Sequence, residues 1–153
     1  GQLDEADRPT AGAALTAVIT AARAAGGIVG IHCCGAADWE WVVSLGWDVL
    51  SFDMAIGAPL GVLARHVQDG GGIVWGCLAT DRDPDVVSAE QQLSLRWSAG
   101  ALDPATWSKA AMVSPACGLG LLPLARAEKI SHALAGMTAD WRDGRRPWEP
   151  ERR

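Results

Sequence analysis

Gly26-Gly27-Ile28-Val29-Gly30-Ile31-His32-Cys33-Cys34-Gly35 is the stretch that decides the fold. Two glycines close an alanine-rich segment, and a short, β-branched apolar run follows and stops at polarisable side chains. A run of this length and composition reads as a strand buried on both faces, the form found in parallel sheets. Side chains alternate along a strand, so His32 and Cys34 point to one face and Cys33 to the other. The strand end offers an imidazole and a thiol side by side.

Around this strand, helix and strand signals alternate. Thr10 stands as N-cap of a helix over 11–25, which the pair Gly26 and Gly27 terminates. Residues 38–45 read as a short helix ended by Gly46, and 48–53 as a second strand. A helix over 59–67 has Pro59 in its first turn and stops at Gly70, Gly71 and Gly72; residues 73–77 form the third strand. Pro84 opens a helix to about residue 98, 99–109 is a loop with a single helical turn, 111–116 is the fourth strand, and 123–141 is the last helix. Residues 1–141 make one domain, and the Arg-, Pro- and Glu-rich stretch 142–153 is a frayed polar tail.

The alternation implies right-handed crossovers and a parallel sheet, the α/β class. Only four strands are visible in the 153 residues, whereas a closed eightfold barrel takes roughly 200 or more. The chain therefore reads as (βα) units forming about half of a TIM-type barrel. Strands this apolar need cover on both faces, and one layer of helices covers only one. A partner chain, a homodimer or a missing N-terminal half is expected to complete it.

Composition narrows the function. With 49% hydrophobic and 20% charged residues the chain has an ample core, and its net charge of −5 argues against nucleic-acid or anionic-membrane partners. The weakly polar stretch 11–31 carries Arg23 and is mostly alanine and glycine, too little hydrophobicity to span a bilayer. Asp4, Glu5 and Asp7 stand where a signal peptide would be basic. A cytoplasmic location and small-molecule ligands are expected, with the four cysteines reduced or ligating rather than cross-linked. The strand end at Cys34 has a counterpart in Ser114-Pro115-Ala116-Cys117-Gly118, so two thiolates and an imidazole can converge on one metal ion.

Three motifs carry a resemblance. His32-Cys33-Cys34 looks like a strand-end motif of histidine, any residue, cysteine; Asp48-Val49-Leu50-Ser51-Phe52-Asp53 looks like a strand ending in an acidic ligand, usually glutamate. Ser114-Pro115-Ala116-Cys117-Gly118-Leu119 is similar to asparagine, proline, aspartate, cysteine, glycine, leucine. In this order, over most of residues 28–140, they resemble the C-terminal half of the catalytic barrel of cobalamin-independent methionine synthases, in the superfamily that includes uroporphyrinogen decarboxylase and coenzyme M methyltransferases. Gln2-Leu3-Asp4-Glu5 resembles the family's strand motif of glutamine, isoleucine, aspartate, glutamate, proline, whose aspartate would hold the homocysteine amine.

The resemblance implies zinc held by His32, Cys34, Asp53 and Cys117, activating a thiol such as homocysteine for methyl transfer, with methionine biosynthesis as the setting. It gives Asp4 and Ser114 to the substrate, and it puts the parts that bind a folate methyl donor in the other half of the barrel. Zinc suits this borderline-soft donor set and keeps a bound thiol deprotonated while leaving its sulfur nucleophilic. The chain departs from the family where a catalytic histidine would end the third strand: Trp75-Gly76-Cys77 stands there, making Cys77 a candidate for the catalytic position. That departure favours a superfamily relative with other alkyl-transfer or decarboxylase-like chemistry, and an inactive barrel fragment is a further alternative. Cys33, facing the helices, reads as core, and His66 and His132 as solvated or structural. Trp39, Trp41 and Trp47 suit packing, and Gly70-Gly71-Gly72 lacks the lysine and serine of a phosphate loop.

Overall fold

The computed structural model describes residues 3–143 and 145. After a 3-10 turn at Glu5–Asp7 come α1 (Arg8–Ala24), β1 (Gly30–Cys33), α2 (Trp39–Ser44), β2 (Val49–Asp53), α3 (Leu60–Gln68), β3 (Gly72–Leu78), α4 (Val86–Ala99), α5 (Pro104–Ala110), β4 (Ala111–Pro115) and α6 (Leu124–Arg142). The four strands form one parallel sheet in the order β1-β2-β3-β4, which makes β1 and β4 its edges. The α/β class and the alternating βα units follow the sequence pattern.

Local chemistry sets the element ends. Asp38, Asp85 and Asp103 cap their helices by accepting from the backbone N–H groups of Trp41, Ser88, and Ala105 with Thr106. Gly26, at φ 79°, closes α1 in the left-handed region that a side chain disfavours. Three expectations move. The first helix starts at Arg8 rather than after Thr10, because Pro9 presets its first turn and Asp7 takes the N-cap place without a side-chain bond. The helix expected from Pro84 starts at Val86, where Asp85 supplies the cap. The expected loop 99–109 contains α5, started by Asp103 and Pro104 and anchored by the fully buried Trp107.

One face of the sheet carries the core. Leu50, Phe52, Ile73 and Trp75 are buried there beneath the helices, with Ile31, Cys33 and Val113 packed against them. Trp75 lies edge-on to Phe52, Trp97 and Trp107, at ring-centroid distances of 5.2, 6.2 and 5.9 Å. The tryptophans Trp39, Trp47, Trp75, Trp97 and Trp107 are thus packing residues. Of the two alternatives for His66, solvated or structural, the second holds: it is buried, its ring against the backbone of Gly71.

The opposite face is open. Its alternate positions, Val49, Ser51, Val74 and Ser114, are half-buried, and His32 and Met112 are exposed. Within the stretch expected to fray, the Arg145 guanidinium holds both oxygens of the buried Glu90 at 2.7 Å; Gly144 and residues 146–153 lie outside the described residues.

Candidate metal centre

The site forms at the carboxyl ends of the strands. β1 delivers His32 on the open face, and Cys34 follows the strand's last residue. Across the ladder, His32 is the register partner of Ser51, and its Nδ1 lies 2.8 Å from Ser51 Oγ.

Cys117 comes from the far edge. Strands lie about 4.8 Å apart, so in a flat sheet β4 would be about 14 Å from β1. The chain after β4 turns inward instead. The Ala116 N–H donates to the Leu78 carbonyl at 2.8 Å, and a β-carbon on Gly76 would lie only 2.9 Å from Ala116 Cα. Ala116 therefore seats over Gly76 and carries the next residue towards the β1 rim. One ligand atom each of His32, Cys34 and Cys117 lies within 4.8 Å of the others, and all three residues are exposed. Two sulfurs and an imidazole nitrogen this close could hold one metal ion.

The remaining candidates fall elsewhere. Asp53 ends β2 outside this group: its Oδ1 accepts from the Ala55 N–H at 2.8 Å, and its carbonyl accepts from Ile56 and Gly57, so the side chain is committed to the turn after the strand. Ser114 donates its hydroxyl to the Pro115 carbonyl. Asp4 and Glu5 are exposed at the 3-10 turn rather than on the strand their motif resembles, and Gln2 lies outside the described residues. Cys33 packs into the core, and burial followed by the neighbouring Cys34 pushes its thiol up. Burial raises the Cys77 thiol to about 12, so it stays protonated at neutral pH; its sulfur points to the Ser114 carbonyl at 3.8 Å. His132 is exposed on α6.

Beside the three ligands opens a cavity of about 520 Å³ at the ends of β2, β3 and β4, lined among others by Asp53, Cys77, Arg82, Arg96 and Cys117. Arg96 is fixed by donating to the Met54 carbonyl at 2.8 Å. The sequence reading passes over both Ser51 and Arg96. Ser51 is recoverable only by aligning the two strands in register.

The chain matches no family model, no curated protein and no solved structure. What the chain offers chemically is the donor set and the cavity beside it. No helix among the described residues is long and apolar enough to cross a membrane.

Proposed function

We propose that this chain is the C-terminal half of a methionine-synthase-like TIM-type barrel, in which His32, Cys34 and Cys117 hold zinc and a thiol such as homocysteine is methylated. The observation that carries the reading is the convergence of those three ligand atoms within 4.8 Å from the first and last strands of the sheet. Two thiolates and an imidazole are a donor set that zinc favours, and three protein ligands leave the fourth tetrahedral position for a substrate. Zinc bound there would supply the Lewis acidity that keeps a substrate thiol ionised at neutral pH.

The chain's own residues define the rest. The cavity beside Cys117 receives a small acceptor, and Arg96 and Asp53 give its wall charges of both signs. With a methyltetrahydrofolate donor, the sulfur–methyl bond forms as the nitrogen–methyl bond breaks, and the proton lost by the thiol is matched by one taken up at that nitrogen. The open sheet face, with β1 and β4 each paired on one side only among the described residues, supports a barrel completed by a second copy or by further chain.

A second reading keeps the metal and changes the acceptor or the reaction, as in another alkyl transferase or a decarboxylase-like relative. Cys77 favours it. A thiol raised to about 12 cannot serve as the acid–base group that a histidine would provide at that strand end.

Metal analysis of the purified chain tests the site. About one zinc per chain, with Cys34 and Cys117 protected from thiol reagents, is expected; no zinc, with Cys34 and Cys117 freely reactive, would overturn it. Methyl transfer to homocysteine, assayed with methyltetrahydrofolate and with a simpler methyl donor, then separates the two readings.

A further inference from the structure

We infer that Ser51 is a positioning residue for the metal centre, fixing the ring plane and tautomer of His32 so that Nε2 presents its lone pair to the ion. The inference rests on the reading of His32, Cys34 and Cys117 as metal ligands and deepens it by one residue.

An imidazole can coordinate only through an unprotonated nitrogen, and which nitrogen carries the hydrogen is set by the bond that the other one makes. In His32, Nδ1 is engaged by Ser51 Oγ at 2.8 Å, the ring's one hydrogen-bonding partner among the described residues. Two hydrogen arrangements satisfy that contact. If the serine hydroxyl donates, Nε2 carries the ring hydrogen and cannot bind a metal. If Nδ1–H donates to Oγ, Nε2 is bare. Metal binding selects the second arrangement, and the serine oxygen then acts as the acceptor that ligating histidines almost always have behind them.

The location of Ser51 makes this support stiff. His32 sits on β1, an edge strand, and its side chain is exposed, so little packing holds the ring. Ser51 sits on β2, an interior strand bonded on both sides: it is in register with His32 on one flank and with Val74 on the other. Its flanking residues Leu50 and Phe52 are buried on the core face, which locks the backbone beneath the hydroxyl. The ligand is mobile by position, and its hydrogen-bond acceptor is not. Such backing by a rigid element is what a precise site requires.

The test titrates the reduced, purified chain with Co²⁺ alone, following the sulfur-to-cobalt charge-transfer band and the weaker d–d bands; Ser51→Ala and Ser51→Thr are compared with the unsubstituted chain. Ser51→Ala should bind cobalt roughly 10- to 100-fold more weakly, as loss of an outer-shell partner does elsewhere. Its d–d bands should change while the charge-transfer intensity per bound ion stays the same, since both thiolates remain. Ser51→Thr, which keeps the hydroxyl, should bind close to the unsubstituted chain, and the metal-free unfolding midpoints of all three should coincide.

Equal affinity and identical spectra for Ser51→Ala would overturn the positioning role and leave the metal site standing. Equal losses in Ser51→Ala and Ser51→Thr would also overturn it, because the hydroxyl would then not be the cause. Failure of the unsubstituted chain to bind cobalt would overturn the metal site itself, and this inference with it.

Discussion

Ala116 lies directly over Gly76. A β-carbon built on Gly76 would come within 2.9 Å of Ala116 Cα and 2.5 Å of the Phe52 carbonyl oxygen, both backbone atoms that no rotamer change can move. Gly76→Ala should therefore push the segment carrying Cys117 outward. The expected result is a loss of stability of about 1–3 kcal/mol in urea unfolding, typical of overpacking, with loss of tight metal binding. Binding that survives intact would show that Cys117 reaches the site by another route.

Removing a ligand should act more selectively. Cys117→Ser and Cys34→Ser each leave the core untouched, since both side chains are exposed, yet each should abolish stoichiometric zinc uptake measured by elemental analysis. Cys77→Ser and Cys33→Ser, outside the ligand group, should retain one zinc.

The four thiols should also separate by alkylation rate. Iodoacetamide added to the native, metal-free chain at pH 7.5 should modify the exposed Cys34 and Cys117 first. Cys77, raised to about 12 by burial, should react last and become as reactive as the others only in denaturant. Peptide mass mapping against time reads the order directly.

Acid sensitivity should begin at His66. Burial holds its imidazole below its ordinary 6.5, with the backbone at Gly72 and Asp48 and the nearby charges of Asp69 and Asp48 only partly opposing. Unfolded chains take up this proton near 6.5 while the folded protein resists, so stability falls as pH drops below about 6.5 towards the lower folded value. Denaturant midpoints measured from pH 7.5 to 5 should decline, and His66→Gln should flatten that part of the curve. Asp48, held low by its hydrogen bonds to Arg23 and to the Val29 N–H, retains its contribution above about 4 and loses it only in stronger acid.

At the centre of the aromatic cluster, Trp75→Ala should cost about 3–5 kcal/mol, because the cavity it leaves is walled by three other large rings and cannot collapse. Thermal unfolding is the measurement, and a loss well under that range would mean the core is loosely packed.

Much of the fold is legible in the sequence because its signals are local. Apolar runs between glycines mark the strands, and Pro59, Gly26 and Asp38 act within one turn of where they stand. α5 is legible only as a single helical turn because its seven residues carry no apolar periodicity, and Asp103-Pro104 alone announces where it starts. The candidate site is legible as far as His32, Cys34 and Cys117, since strand ends can be located from composition. Asp53 is a strand-end residue too, yet a backbone N–H two residues on competes for its carboxylate, and spacing alone cannot reveal that competition. The burial of His66 and the place of Ser51 beside His32 are hidden for a related reason: those environments are made by Gly71 and by the neighbouring strand's register.

The ligands His32 and Cys34 belong to the first strand's end and Cys117 to the segment after the last, more than eighty residues away along the chain. An ion holding all three would act as a cross-link around almost the whole sheet. In the chain-entropy picture a tether spanning a loop of that length restricts the unfolded ensemble by about 4.5 kcal/mol. Chelation would then release both edges at once, and occupancy of the site would determine how long the native chain survives proteolysis.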